Sequence, residues 1–175
     1  LSDILPDLLG PGLRVVFCGT AAGPVSARLG AYYARPGNRF WPALAEAGFT
    51  PRRLRPVEFA ELPRYGIGLT DLVKTGFGID SALKPEEFDL PRFWAAMRHH
   101  RPDAIAFTSR EAATRALPEL RRWRGWGEAP GMQDLPRILV LPSPSGLNGH
   151  WRRQGGQAVW NEAARLLGFG RAVAA

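Results

Sequence analysis

Leu13-Arg14-Val15-Val16-Phe17-Cys18 runs directly into Gly19-Thr20-Ala21-Ala22-Gly23, and this junction decides the fold. The run is too short for a stable helix. An almost unbroken apolar stretch closed by glycine reads as a strand buried on both faces. Downstream, Ile67–Leu69, which runs into Thr70 and Asp71, then Ala104–Thr108 and Ile138–Leu141 repeat the pattern. Helical patterns lie between them: Asn38–Ala47 closed by Gly48, one ending near His99 and His100, one starting at Ser109, and Gln157–Leu167. Arg121–Pro136, rich in Trp, Gly and Pro, reads as an irregular excursion. Strands alternating with helices predict a single-domain α/β fold with a central, mostly parallel sheet flanked by helices.

At 175 residues and 45% apolar, the chain can bury a core as one domain. Within that domain, residues 1–11 and 168–175 are expected at the periphery, with the tail from Gly168 frayed. No apolar stretch approaches bilayer-spanning length, and LSDILPDLLG at the start has acids but no basic region before them. No membrane partner and a cytoplasmic location are therefore expected. Cys18 is the only cysteine, which excludes an internal disulfide and a four-cysteine iron–sulfur cluster. With only His99, His100 and His150 beside it, a structural zinc site is not expected either. The formal charge of +7 suits a polyanionic partner. Yet 21 of the 23 basic residues are arginine, a compositional bias that accounts for much of that charge. Charge alone permits nucleic acid without establishing it.

Ligands of open α/β sheets bind outside the carboxyl ends of the strands. That rule brings Gly19–Gly23, Leu69–Lys74 and Pro142–His150 to one edge. All three segments are rich in residues that let backbone approach a ligand closely, or carry polar groups toward it.

Gly19–Gly23 (GTAAG), Arg35–Trp41 (RPGNRFW) and Pro142–Leu147 (PSPSGL) resemble the motifs G-I-N-P-G, H-P-x-N-R-F-W and N-P-S-G-L. These belong to the mismatch-specific uracil/thymine-DNA glycosylase family, within the uracil-DNA glycosylase superfamily. The connecting AGFTPRRLRP and GIGLTDLV look similar too, so the resemblance spans most of residues 12–167. It implies a uracil-DNA glycosylase-like fold. It also implies a monomeric, monofunctional enzyme on double-stranded DNA, with neither metal nor cofactor. Such an enzyme flips out uracil, or another damaged or mismatched pyrimidine such as thymine in G:T or etheno-cytosine. It then hydrolyses the glycosidic bond and leaves an abasic site. Two positions depart from the pattern. Ala21 stands where the family places an asparagine implicated in positioning the attacking water, and Ser143 stands where the third motif opens with asparagine. A methyl group can neither accept a proton nor orient water.

Breaking an N-glycosidic bond leaves a cation-like sugar and a base anion. The site therefore needs negative charge or a held water near the sugar, and donors near the base. Asp71, at a strand end on the active edge, is the candidate for the first role, with Ser143 as a second catalytic candidate. Its plainer reading is the cap of a short helical turn. Gly19, Thr20, Ala21 and Gly23 are expected to line the base pocket. The resemblance places a stacking aromatic at Tyr33, although either Tyr32 or Tyr33 can face the core. Stacking of this kind contributes about 1–3 kcal/mol per base. Gly23 stands where the uracil-only branch carries a bulky tyrosine, which implies tolerance of 5-substituted pyrimidines. Asn38 is expected at the pocket and as a helix cap, with Phe40 and Trp41 in the core.

Gly146-Leu147-Asn148-Gly149-His150 resembles the family's wedge loop, in which Leu147 would fill the gap left by the flipped nucleotide. Ser145, Asn148, His150, Arg152 and Arg153 are candidates for gripping DNA phosphates. His99 and His100 read as a solvated basic helix end, and Trp123 and Trp126 as anchors of the irregular excursion. Cys18 reads as inert core. Only Lys74 and Lys84 are available as amines, and neither is marked for Schiff-base chemistry. Two other readings stay open: a lesion-binding module without catalysis, and an enzyme acting on a small nucleoside.

Overall fold

The computed structural model describes residues 2–170. Every residue of VVFCG is buried, as its apolar run requires, and this strand, β1 (Val15–Gly19), lies inside a five-stranded sheet. It pairs in parallel with β2 (Ile67–Asp71) on one side and β3 (Ala104–Phe107) on the other. A short antiparallel edge, β4 (Gly127–Glu128), pairs with β5 (Arg137–Val140), which itself runs parallel to β3. The order β2-β1-β3-β5-β4 is the mostly parallel α/β sheet expected.

Parallel neighbours need crossover connections, and helices supply them. In chain order these are α1 (Pro24–Leu29), α2 (Phe40–Glu46), α3 (Leu90–His100) and α4 (Arg110–Ala116), and α5 (Gly156–Leu166) follows the last strand. Alternate strand residues face opposite layers. Val15 and Phe17 pack with α2 and α5, whereas Val16 and Cys18 pack with α3 and α4. Phe17 stacks on Trp160 with ring centroids 5.6 Å apart and meets Phe40 edge-on.

Two buried indoles also fix loops. A buried indole N–H must find an acceptor. Trp41 Nε1 donates to the Tyr32 carbonyl at 3.0 Å, and Trp160 Nε1 donates to the Pro142 carbonyl at 3.1 Å. Both carbonyls lead into segments at the carboxyl edge of the sheet.

Three features differ from expectation. The stretch 121–136 is not wholly irregular, because Gly127 and Glu128 pair with Val140 and Leu139. A two-residue strand is too short to show alternation. The N-terminal segment is not peripheral: Leu5 is 2% exposed, Leu8 bridges Leu69, and Asp7 pairs with the buried Lys74 at 2.6 Å. Nor does the chain fray at Gly168. Phe169 packs on Phe49, and the Arg14 guanidinium lies 3.8 Å from its ring centre. Leu5 and Leu8 sit in short apolar pairs broken by Pro6 and Asp7, and Phe169 stands alone between two glycines, so no helical or strand periodicity marks them. Residues 171–175, also expected to fray, lie outside the described residues. No described helix is long and apolar enough to cross a membrane.

Candidate active site

The carboxyl ends of the parallel strands open on one cavity of about 390 Å³. Sites for small ligands fall between about 300 and 1,000 Å³. Its walls come from the three segments expected at this edge, through 19–23, Asp71, and 143–145 with Leu147 and Asn148, and from Leu5, 24–26, residues between Tyr32 and Asn38, 78–81 and 108–109.

Strand β2 continues through Asp71, which pairs in register with Gly19. A Cβ placed on Gly19 would lie 2.7 Å from Asp71 Oδ1, 3.3 Å from Tyr33 Oη and 3.5 Å from Thr108 Oγ1. Three oxygens from three segments therefore converge on the space that glycine leaves empty. Glycine is required at this place for room. Any side chain there would push the carboxylate aside.

Asp71 is only 5% exposed, yet it lines the cavity. No described group donates a hydrogen bond to its carboxylate, and none of its oxygens is sealed away without a partner. The capping reading is therefore excluded: the residue belongs to the strand, and its acid faces open space. Burial raises its pKa to about 7, with Lys74 opposing the rise and Asp7 adding to it. The Lys74 ammonium is buried and held by Asp7 and by the Leu5 carbonyl at 2.9 Å, outside the cavity lining. A carboxyl group balanced near neutral pH can serve as a proton acceptor or as a negative charge beside a cation.

Tyr32 and Tyr33 both border the cavity, but Tyr32, 2% exposed, belongs to the core and donates its hydroxyl to the Pro6 carbonyl. One face of Tyr33 stacks on Phe40, 3.9 Å between centroids and 13° from parallel. Its hydroxyl shares a hydrogen bond of 3.1 Å with Thr108. Its φ of +52° lies in the left-handed region, which costs a bulky residue about 1–3 kcal/mol. The Phe40 stack and the Thr108 bond offset that cost and fix the ring. Burial holds the phenol well above its usual pKa, so it stays protonated.

Ala21 lines the cavity, and its side chain offers no more than a methyl group. Beside it, Thr20 donates to Asp80, a second carboxylate in the wall. Burial also raises the Asp80 pKa, with the Thr20 bond acting the other way. Gly23 has φ −72° and ψ 167°, which any residue adopts, and a Cβ there would meet nothing within 4 Å. Its lack of a side chain therefore reflects neither backbone strain nor crowding. Asn38 is not the N-cap expected, since Arg39 holds that place, but one residue earlier its Oδ1 accepts the Phe40 N–H at 2.9 Å, while its amide nitrogen has no described partner at the cavity wall. Phe40 and Trp41 are buried, as expected.

The last loop is braced from within. Ser143 Oγ accepts the Ser145 N–H, and Ser145 Oγ accepts the Leu147 N–H. Asn148 donates to the Ser143 carbonyl and to Gln154, and accepts the His150 N–H. Its side chain is thus occupied in holding the loop rather than free for an external phosphate. Arg39 secures the same loop: its backbone N–H donates to the Pro144 carbonyl and its guanidinium to the Ser145 carbonyl. Gly146 passes so close to Gly37 that a Cβ would lie 3.0 Å from its carbonyl oxygen. At the tip of this fixed loop Leu147 is 60% exposed. Gly146, His150 and Arg152 stand outside the cavity, and the His150 ring meets Arg153 at 2.8 Å.

Sequence reasoning did not identify Thr108, Asp80 or Arg39 as parts of the site. Two of them carried a signal: Thr108 as the polar residue ending a buried strand at this edge, and Arg39 as the arginine of the NRFW motif.

The model of the uracil DNA glycosylase superfamily matches residues 6–166. The solution NMR structure of a "putative Uracil DNA glycosylase" from Methanosarcina acetivorans has the same fold, with a TM-score of 0.67 at 24% identity. The match covers 93% of this chain and 96% of that one. With the motifs at the sheet edge and nearly the full length matched, this chain belongs to the uracil DNA glycosylase superfamily.

Proposed function

We propose that the protein is a monofunctional glycosylase of the mismatch-specific type, acting on double-stranded DNA and releasing uracil and bulkier pyrimidines. The observation that carries this reading is the unbonded, nearly buried Asp71 carboxylate on the wall of the cavity that Ala21, in place of the motif asparagine, also lines. In the proposed reaction the bond between the sugar's anomeric carbon and the base nitrogen breaks, and both electrons leave with the base. Ionised Asp71 stabilises the developing cation and orients a water, whose oxygen bonds to that carbon and whose proton passes to the carboxylate. The free amide nitrogen of Asn38 and backbone N–H groups of the loops are available to the departing base anion. Tyr33, fixed by Phe40 and Thr108, supplies the aromatic wall.

Incubation with duplexes containing uracil, thymine opposite guanine, etheno-cytosine or hypoxanthine, followed by alkaline scission of abasic sites, tests the reading directly. Uracil is expected to be released. A protein that binds these duplexes but leaves every base attached is a lesion-binding module, and activity on free nucleosides alone would remove DNA from the account. The open space at Gly23 supports the wider substrate range. Gly23→Tyr is expected to cut thymine and etheno-cytosine release by about tenfold or more relative to uracil, in line with steric discrimination in a shaped pocket. Equal losses on all bases would remove Gly23 as the selector.

Leu147, exposed on a braced loop, supports the wedge role. Leu147→Ala is expected to slow release from well-paired sites by about tenfold and from mismatches by less, because extrusion is already easier there. Single-turnover rates on the two duplexes check this, and a uniform slowing counts against the wedge.

A further inference from the structure

We propose that Arg121-Arg122-Trp123-Arg124-Gly125-Trp126 is a second grip on the DNA backbone, docked at the rim of the cavity and holding phosphates flanking the extruded nucleotide. The identity of the ligand rests on the glycosylase reading above. The location and charge of the segment do not.

Two independent contacts place it. At its far end, Gly127 pairs with Val140, the last residue of β5. The chain beyond Val140 leads directly to Ser143 in the cavity wall. At its middle, Arg110 holds it. This arginine follows Thr108 and Ser109, both in the cavity wall, and opens α4. Its guanidinium donates to the carbonyls of Trp123 at 3.0 Å, Arg124 at 3.4 Å and Gly125 at 2.7 Å. It also lies 4.2 Å from the centre of the Trp126 ring. The segment is thus fastened to the same carboxyl edge that carries the pocket and the Leu147 loop.

The charges it presents have no counter-ions. Arg121, Arg122 and Arg124 are exposed, and among the described residues none is in an ion pair. Nearby arginines do find acids: Arg115 pairs with Glu111, and Arg137 with Glu128. Three guanidinium groups within four residues repel one another unless an anion lies between them. A duplex supplies a row of anions, and arginine matches phosphate with paired donors. Because Arg110 has already ordered the backbone, less conformational freedom remains to be lost on binding.

A contact to phosphate carries no sequence information and should act on any duplex. The test is the salt dependence of binding to two 30-base-pair duplexes, one with a central uracil and one undamaged. For Arg121→Gln/Arg122→Gln/Arg124→Gln, the slope of log affinity against log salt should become shallower by about two to three on both duplexes, at about 0.9 per contact. Affinity at low salt should fall about tenfold or more. Arg121→Gln/Arg122→Gln, whose side chains hold nothing in the fold, should show about two thirds of the change. Arg64→Ala/Arg98→Ala, at the amino edge of the sheet, should leave the slope as in the wild type. Wild-type slopes in both arginine variants would overturn the proposal, as would a loss confined to the uracil duplex. If the wild type releases no base while the variants still lose slope, the grip stands and the glycosylase reading falls.

Discussion

Asp71→Ala is expected to slow single-turnover release of uracil from duplex DNA by between about a hundredfold and ten thousandfold, the range spanned by a positioned acid–base group. Duplex affinity should change by no more than about threefold, because the carboxylate offers nothing to a polyanion. The expectation follows from alanine at position 21 of the cavity lining, where no polar side chain is available, and from Asp71 and Asp80 being the acids that line the cavity. Asp80 is tied to Thr20, whereas Asp71 has no described partner.

The pH dependence separates electrostatic action from mere packing. With a pKa of about 7, Asp71 is protonated at pH 6 and ionised at pH 8. Only the ionised form can take a proton from water or face a cationic sugar. The wild-type rate should rise about tenfold per pH unit below 7 and level off above about 8. Asp71→Asn keeps the shape and loses the charge, so its rate should be low and nearly flat over the same range. A wild-type rate that stays constant from pH 5 to pH 8, or an asparagine variant with the same rising profile, would remove Asp71 from the reaction.

Much of this site was legible because each strand end was marked twice, by an apolar run and by the polar or glycine residue that stops it. Val15–Gly19 and Ile67–Asp71 are such cases, and their parallel pairing puts Gly19 beside Asp71. What sequence could not supply was lateral distance. Nothing local says that Thr108 lies within hydrogen-bond reach of Tyr33, because their separation in the chain is set by two crossovers. Asp80 was hidden for a different reason. It sits in a single 3₁₀ turn, Asp80–Ala82, with no periodicity to assign it a face. Asn148 shows a side chain whose partners the sequence also hides. A polar residue in a wedge-like loop reads as a DNA contact, yet its amide is consumed by Ser143 and Gln154 within the loop. Rigidity of the loop, more than direct contact, is then its contribution to exposing Leu147.

The same carboxylate that is expected to drive the reaction is expected to weaken the fold, and Asp71→Asn should reveal this as a gain in stability that depends on pH. An ordinary aspartate ionises near 3.8, whereas Asp71 in the folded chain does so at about 7. Below the lower value both folded and unfolded states are protonated, so the group makes no difference. Between the two values the unfolded chain is ionised while the folded one still binds the proton, and stability falls as pH rises. Above about 7 the full cost of keeping a charge in the wall is present. At about 1.4 kcal/mol per pH unit the gap corresponds to about 4 kcal/mol at most, and the open side of the cavity brings the expected gain to about 2–4 kcal/mol. For a chain of this size that is a rise of about 4–15 °C in melting temperature at pH 8, shrinking toward zero as the pH approaches 4. Thermal denaturation of both proteins at pH 4, 6 and 8 reads the trend. An equal effect at every pH would mean that the amide improves packing and that the charge costs nothing. In that case the acid is already well solvated, and its poise near neutrality could not be what makes it a proton acceptor.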